Sequence, residues 1–139
     1  MNDLAAVDKV RRLEANLLSL PQVDFQTQMF AHGGMGVRTI FIPAGTALTG
    51  ALTNIANLCI VHGDIEVTTD QGMKRFTGFH VIPASAGYKR AGYAHADTWW
   101  STVWRTDLID SREMEDEMTN DVLQSRREGL VYAQPRLED

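Results

Sequence analysis

The chain has 139 residues, of which 44% are apolar and 22% charged, and a net charge of −5. That length suits one domain with a real core, and the composition excludes disorder. The acidic balance argues against direct binding to nucleic acid or to an anionic membrane, since both recruit clustered Lys and Arg.

Residues 3–20 read as an amphipathic helix within an N-terminal segment, 1–21. Val7, Val10, Leu13 or Glu14, Leu17 and Leu20 recur at helical spacing, Asn2 or Asp3 can cap the start, and Pro21 ends it. A single apolar stripe must be covered, either by the rest of the domain or by the same helix of a neighbouring subunit. Asp3, Asp8, Lys9, Arg11 and Arg12 leave no apolar stretch of signal-peptide type. Nowhere do about 18 apolar residues run together. The expectation is a cytoplasmic protein, neither secreted nor membrane-spanning.

From 22 to 106 the texture is β. Strands are expected near 23–30, 36–42, 57–62, 64–69, 73–76, 79–82, 88–93 and 98–105. Gly33-Gly34, Pro43-Ala44-Gly45, Gly63-Asp64, Asp70-Gln71-Gly72 and Pro83 to Gly87 separate them. Asp70-Gln71-Gly72 is a hairpin signal. Many short strands in one small domain predict a sandwich, jelly roll or small barrel. Cys59, the only cysteine, lies in an apolar run and reads as a buried core residue.

The last segment, 107–139, turns helical again. Asp110 and Glu113 form a capping-box pattern, and Met114 and Met118 share a face. Thr119-Asn120-Asp121 ends this helix and can cap a second one running to Gly129. Leu130, Val131 and Tyr132 in a polar tail suggest a segment that docks on a surface.

The runs IPAGTALTG (Ile42–Gly50), NLCIVHGDIEVTTDQG (Asn57–Gly72) and HVIPASAGYKRAGYAHADTWWSTVW (His80–Trp104) resemble a cupin. More narrowly, they resemble the small cupin-like proteins encoded by tailed bacteriophages. The resemblance implies a mainly β double-stranded β-helix, two antiparallel sheets curled around a pocket, with flanking helices. Cupins hold a metal through two motifs, G(X)5HXH(X)3-4E(X)6G and G(X)5PXG(X)2H(X)3N. Gly45, Gly63, Gly78, Pro83 and Gly87 keep part of that scaffold. Counting from Gly45 places Ala51 and Thr53 where the two His belong, and counting back from Gly63 places Ala56 at the Glu. Counting from Gly87 places Arg90 at the third His and Ala94 at the Asn. Imidazoles and a carboxylate are what a divalent transition metal requires, so no metal and no cofactor is expected.

His32, His62, His80 and His95 each lie beside a turn signal and make no chelating pair. On the last strand Trp100, Thr102 and Trp104 share one face and Trp99, Ser101 and Val103 the other, which predicts burial on both faces. Tyr88, Arg90 and Gly92 share a face, with Lys89 opposite. An inward Arg90 needs either an internal carboxylate, such as Glu66, Asp64 or Asp97, or an anionic ligand. The candidate ligand-binding residues are Arg90, Trp100, Trp104, Asn57 and His95. The functional expectation is a non-catalytic binding or assembly module, homo-oligomeric, that engages either a small anionic ligand in the infected cell or virion proteins. The alternative is a metal-independent epimerase or isomerase using His95, Tyr93 and Asp97.

Overall fold

The computed structural model describes residues 4–121. It contains helix α1 (Leu4–Leu18), strands β1 (Gln28–His32), β2 (Met35–Ile42), β3 (Ala47–Thr49), β4 (Asn57–Thr69), β5 (Gly72–Ala84), β6 (Ala91–Ala94) and β7 (Thr98–Arg105), and helix α2 (Ser111–Met118). The Asn2 or Asp3 cap, the helix expected to end at Gly129 and the Leu130-Val131-Tyr132 tail lie outside the described residues.

All pairing is antiparallel, in the order β1-β2-β7-β4-β6-β3, with β5 on β4. Strand β4 belongs to both halves of the barrel. Leu58–His62 pair with β7, whereas Ile65–Val67 pair with β6. The sheet therefore curls over at Gly63, and the result is a jelly-roll barrel. Gly63 is needed there, because a methyl group on its Cα would lie 2.4 Å from Thr98 Oγ1 and 2.7 Å from the Asp97 carbonyl.

This corrects the sequence reading at several points. Gly63-Asp64 is a bend, so 57–62 and 64–69 are one strand. Opposite it, 73–76 and 79–82 are also one strand, with Gly63 paired to Gly78. The first strand begins at Gln28, not residue 23, and the expected strand 88–93 shrinks to Ala91–Ala94. The short β3 was not foreseen. The Asp70-Gln71 hairpin and the limits of β2, β7 and α2 agree with expectation, to within a residue for β2.

Helix α1 covers its own barrel at β3. Its buried face is Ala6, Val7, Val10, Glu14 and Leu17, so Glu14 replaces Leu13 on the inner stripe. Each of the larger aliphatic residues contributes roughly 1.5–3 kcal/mol by leaving water. Helix α2 is capped by the Asp110 carboxylate, which accepts from the Glu113 amide at 3.0 Å. It buries Met114 and Met118 against Trp104. The principal core joins both halves of the barrel through Phe25, Ile40, Ile42, Leu48, Val61, Ile65, Val67 and Phe76.

Candidate ligand cavity

Strand alternation decides what faces inward. Arg38, Thr102 and Cys59 stand side by side across β2, β7 and β4, as do Ile40, Trp100 and Val61 one step along. The inward rows wall a cavity of about 140 Å³. Ile40, Ile42, Leu48, Ile65, Val67 and Trp100 make it apolar, and Trp104, Met118 and Thr119 border it on the α2 side. Arg38, Asn57 and Arg90 bring polarity.

The Arg90 guanidinium donates from Nη1 to the Thr68 carbonyl at 2.9 Å and lies 5.0 Å from the centre of the Tyr88 ring. The aromatic ring beside the guanidinium is thus Tyr88, two residues before it in the chain. The Tyr88 hydroxyl in turn donates to Asp70, which pushes its pKa up, with burial adding to the effect. The three carboxylates that the sequence offered as partners of Arg90 each have another partner. Asp64 holds Arg75 through two bonds of 2.8 and 2.7 Å. Glu66 meets His95 Nε2 at 2.8 Å, and Asp97 accepts the Ala44 amide at 2.9 Å. Among the described residues no carboxylate forms an ion pair with Arg90.

Asn57, Arg90, Trp100 and Trp104 thus line one cavity, and His95 does not join them. Its ring lies on the exposed side of the bend, bonded to Glu66 and edge-on to Tyr93 at 4.9 Å. Neither Tyr93 nor His95 borders the cavity, so the acid–base pair sought for an epimerase does not face it. Asn57 is held by its own hydrogen bonds: Nδ2 donates to the Ile55 carbonyl and Oδ1 accepts from Cys59 Sγ. The Cys59 thiol is pushed up by burial, with Arg90 pulling weakly the other way. Trp99 departs from expectation. It is 46% exposed, on the outer face of β7.

Ala51, Thr53 and Arg90, at three of the positions where cupins carry metal ligands, do border the cavity. Ala56, assigned to the fourth, does not; Asn57 takes that place on the wall. A methyl, a hydroxyl and a guanidinium do not suit a divalent cation. Among the described residues no three His, Cys, Asp or Glu side chains gather elsewhere as a metal site.

Beside Arg90, Lys89 points the other way and is fully buried. Its Nζ donates to Glu14 at 2.9 Å, to Asp121 at 3.0 Å and to the Gly50 carbonyl at 2.8 Å. Thr49 also donates to Glu14, at 2.8 Å, and Arg11 to Asp121, at 3.2 Å. Burial alone would raise the Asp121 carboxyl, but the Leu52 amide, Lys89 and Arg11 together hold it below the ordinary carboxylate range. This cluster ties α1, the segment carrying Arg90 and the end of α2 to one another. The sequence signal for it was Glu14, a charge on an apolar stripe.

No protein-family model matches the chain, and no curated protein sequence matches it. Among solved structures, the ectoine synthase of P. lautus is similar, at 13% identity and a TM-score of 0.53 over 75% of this chain and 83% of that one. The plu4264 protein of Photorhabdus luminescens is similar at 13% identity and a TM-score of 0.51, covering 70% and 85%. A cupin superfamily protein of Desulfitobacterium hafniense aligns at 13% identity and a TM-score of 0.48, covering 58% and 76%. At these identities the first two likenesses are of fold alone, in keeping with a cupin-type jelly roll.

Proposed function

We propose that the protein is a metal-free binding module whose barrel cavity takes a small organic anion with an apolar body. The observation that carries this reading is Arg90, a guanidinium on the wall of an apolar cavity that, among the described residues, donates to the Thr68 carbonyl and pairs with no carboxylate. Arg90 is half-buried, and a cation partly withdrawn from water gains from a matching anion. A carboxylate or phosphate entering the cavity would supply the match in forked geometry. Size narrows the class. An aliphatic-lined cavity of about 150 Å³ holds one benzene molecule, so the present one, at about 140 Å³, suits an apolar body no larger than a benzene ring, with the anionic group left to Arg90, and is too small for a nucleotide. In the phage setting that the sequence resemblance implies, the module would sequester such a metabolite in the infected cell.

The experiment is thermal melting of wild type and Arg90→Ala against acetate, benzoate, phosphate and a nucleoside monophosphate. Benzoate should raise the wild-type melting temperature most and leave the variant unmoved. A wild type that no anion stabilises, beside an Arg90→Ala protein melting several degrees lower, would make Arg90 a structural residue and remove the proposal. The second form of the binding-module reading is an assembly role in the virion. One feature favours a protein contact of some kind, an apolar sheet face on the outside of the barrel where Phe30, Leu58, Phe79, Val81 and Trp99 are exposed.

A further inference from the structure

The ladder between β4 and β6 ends at Val67 and Gly92. Beyond it, the end of the β4–β5 hairpin and residues Tyr88–Ala91 are joined through side chains. The Thr68 hydroxyl accepts from the Ala91 amide at 3.0 Å, the Thr68 carbonyl accepts from Arg90 Nη1 at 2.9 Å, and Asp70 accepts from the Tyr88 hydroxyl. On their other side the same residues have backbone bonds, from the Gly50 amide to the Arg90 carbonyl at 2.8 Å and from the Thr53 amide to the Tyr88 carbonyl at 3.1 Å. Asp70 is exposed, in the turn between β4 and β5. That turn is closed by Thr69, whose hydroxyl accepts from the Gln71 amide and donates to the Gly72 carbonyl. The Asp70 carboxylate reaches across to Tyr88.

A guanidinium on a long flexible stem loses rotamer freedom when it closes on an anion, and a contact that fixes it beforehand spares that loss. The Thr68 carbonyl holds Arg90 at one nitrogen. The Tyr88 ring, its centre 5.0 Å from Arg90 Cζ, offers a face on which the cation rests. A ring that can swing about its own side-chain bonds orients nothing, and the bond to Asp70 ties its far end. The same bond, ahead of burial, pushes the Tyr88 pKa up, against a weaker pull from Arg90. Tyr88 therefore stays a neutral phenol, and the charge of Arg90 is left for a ligand.

We infer that Asp70 is a positioning residue for the cavity: through the Tyr88 ring it sets the orientation in which the Arg90 guanidinium meets an anion. The inference rests on Arg90 as the anion-recognising group proposed above. Asp70 does not border the cavity, whereas Tyr88 and Arg90 do, so its influence on a ligand there passes through Tyr88.

The test uses the full chain, isotope-labelled, with two readouts. One is the heteronuclear NOE of the Arg90 Nε–H signal, assigned by its loss in Arg90→Met. The other is the affinity for benzoate by isothermal titration. Tyr88→Phe keeps the ring and removes the hydroxyl, Asp70→Ala removes the acceptor, and Asp70→Asn retains an oxygen that can accept. In Tyr88→Phe and Asp70→Ala the Arg90 signal should take on the NOE of a mobile side chain, and benzoate should bind about 3–10-fold more weakly. The double variant should lose no more than either single one, because both break one bond. Asp70→Asn should keep most of the wild-type affinity. If the bond only closes the edge of the hairpin, the variants will melt lower while the NOE and the affinity stay at wild-type values, and that result overturns the inference. A wild type that binds no benzoate removes the anion site instead, and the NOE then decides by itself. Lost order in both variants sustains the tie from Asp70 to the guanidinium, and unchanged order overturns it.

Discussion

Replacing Lys89 by methionine keeps a long unbranched side chain while deleting one charge from the buried cluster. The lysine side chain is 0% exposed, and its partners Glu14 and Asp121 are 8% and 11% exposed. The substitution leaves Glu14 with the Thr49 hydroxyl, and Asp121 with Arg11 and the Leu52 amide. Hydrogen bonds to charged groups contribute roughly 1.5–3 kcal/mol each. Stranding a buried carboxylate by removing its partner costs about 3–5 kcal/mol. We expect the loss to fall in that second range, since the two lysine bonds are not independent. A domain of this size is stable by about 5–15 kcal/mol, so roughly a fifth of the total or more is at stake. At about 3 °C per kcal/mol the melting temperature should drop by about 10–15 °C. Urea unfolding should show a lower midpoint at unchanged slope. Adding Glu14→Gln to Lys89→Met should then cost little more, because the stranded charge is gone. A Lys89→Met protein within about 0.5 kcal/mol of wild type would refute the view that this cluster clamps α1 and the end of α2 to the barrel.

Three further outcomes follow from the same geometry. The Asp121 carboxyl is held low in the folded protein, so the unfolded chain takes up its proton first as the solution is acidified. Its contribution is complete above the ordinary carboxylate value of about 4 and is lost as pH falls below it; urea unfolding of Asp121→Asn should show a shallower acid slope than wild type, and an identical slope would count against the assignment. Gly63→Ala forces a methyl into Thr98 and the Asp97 carbonyl, and should cost at least about 3 kcal/mol by the same unfolding measurement, whereas Gly72→Ala, with nothing within 4 Å of the added carbon, should lose only its positive-φ strain. Cys59 is 4% exposed and its thiol is raised by burial; a thiol reagent should label the native protein at least about 100-fold more slowly than the unfolded one, and equal rates would show that the cavity wall is open.

Much of the barrel was legible because β alternation is written directly in residue order. The parity of β7 correctly put Trp100, Thr102 and Trp104 on one face, and the count from Gly87 placed Arg90 on the cavity wall. Gly63 and Gly78 misled because a strand that bends needs the same residue as a chain that turns. Only the pairing of the two glycines across β4 and β5 distinguishes the cases. Strand β3 escaped notice because three residues, Ala47–Thr49, are too few for a period. The role of Lys89 was hidden for a different reason. Parity set it opposite Arg90, but nothing local says that a helix seventy-odd positions earlier will cover that side. Trp99 shows the converse limit, since aromatic content alone does not tell a core face from an exposed one.

The central claim is that Arg90 and its apolar surround form a site for a small organic anion. Isothermal titration of benzoate into wild type and Arg90→Met tests it most directly. Methionine keeps the bulk of the wall and removes the fork. The account predicts saturable binding at one equivalent per chain for wild type. It predicts a loss of about 10–100-fold in the variant, the equivalent of one charge-assisted contact. It also predicts little change in stability, because among the described residues the guanidinium bonds the Thr68 carbonyl and lies over the Tyr88 ring but pairs with no carboxylate. Benzoate binding of equal strength in both proteins, or no binding by wild type to any small carboxylate or phosphate, would contradict it.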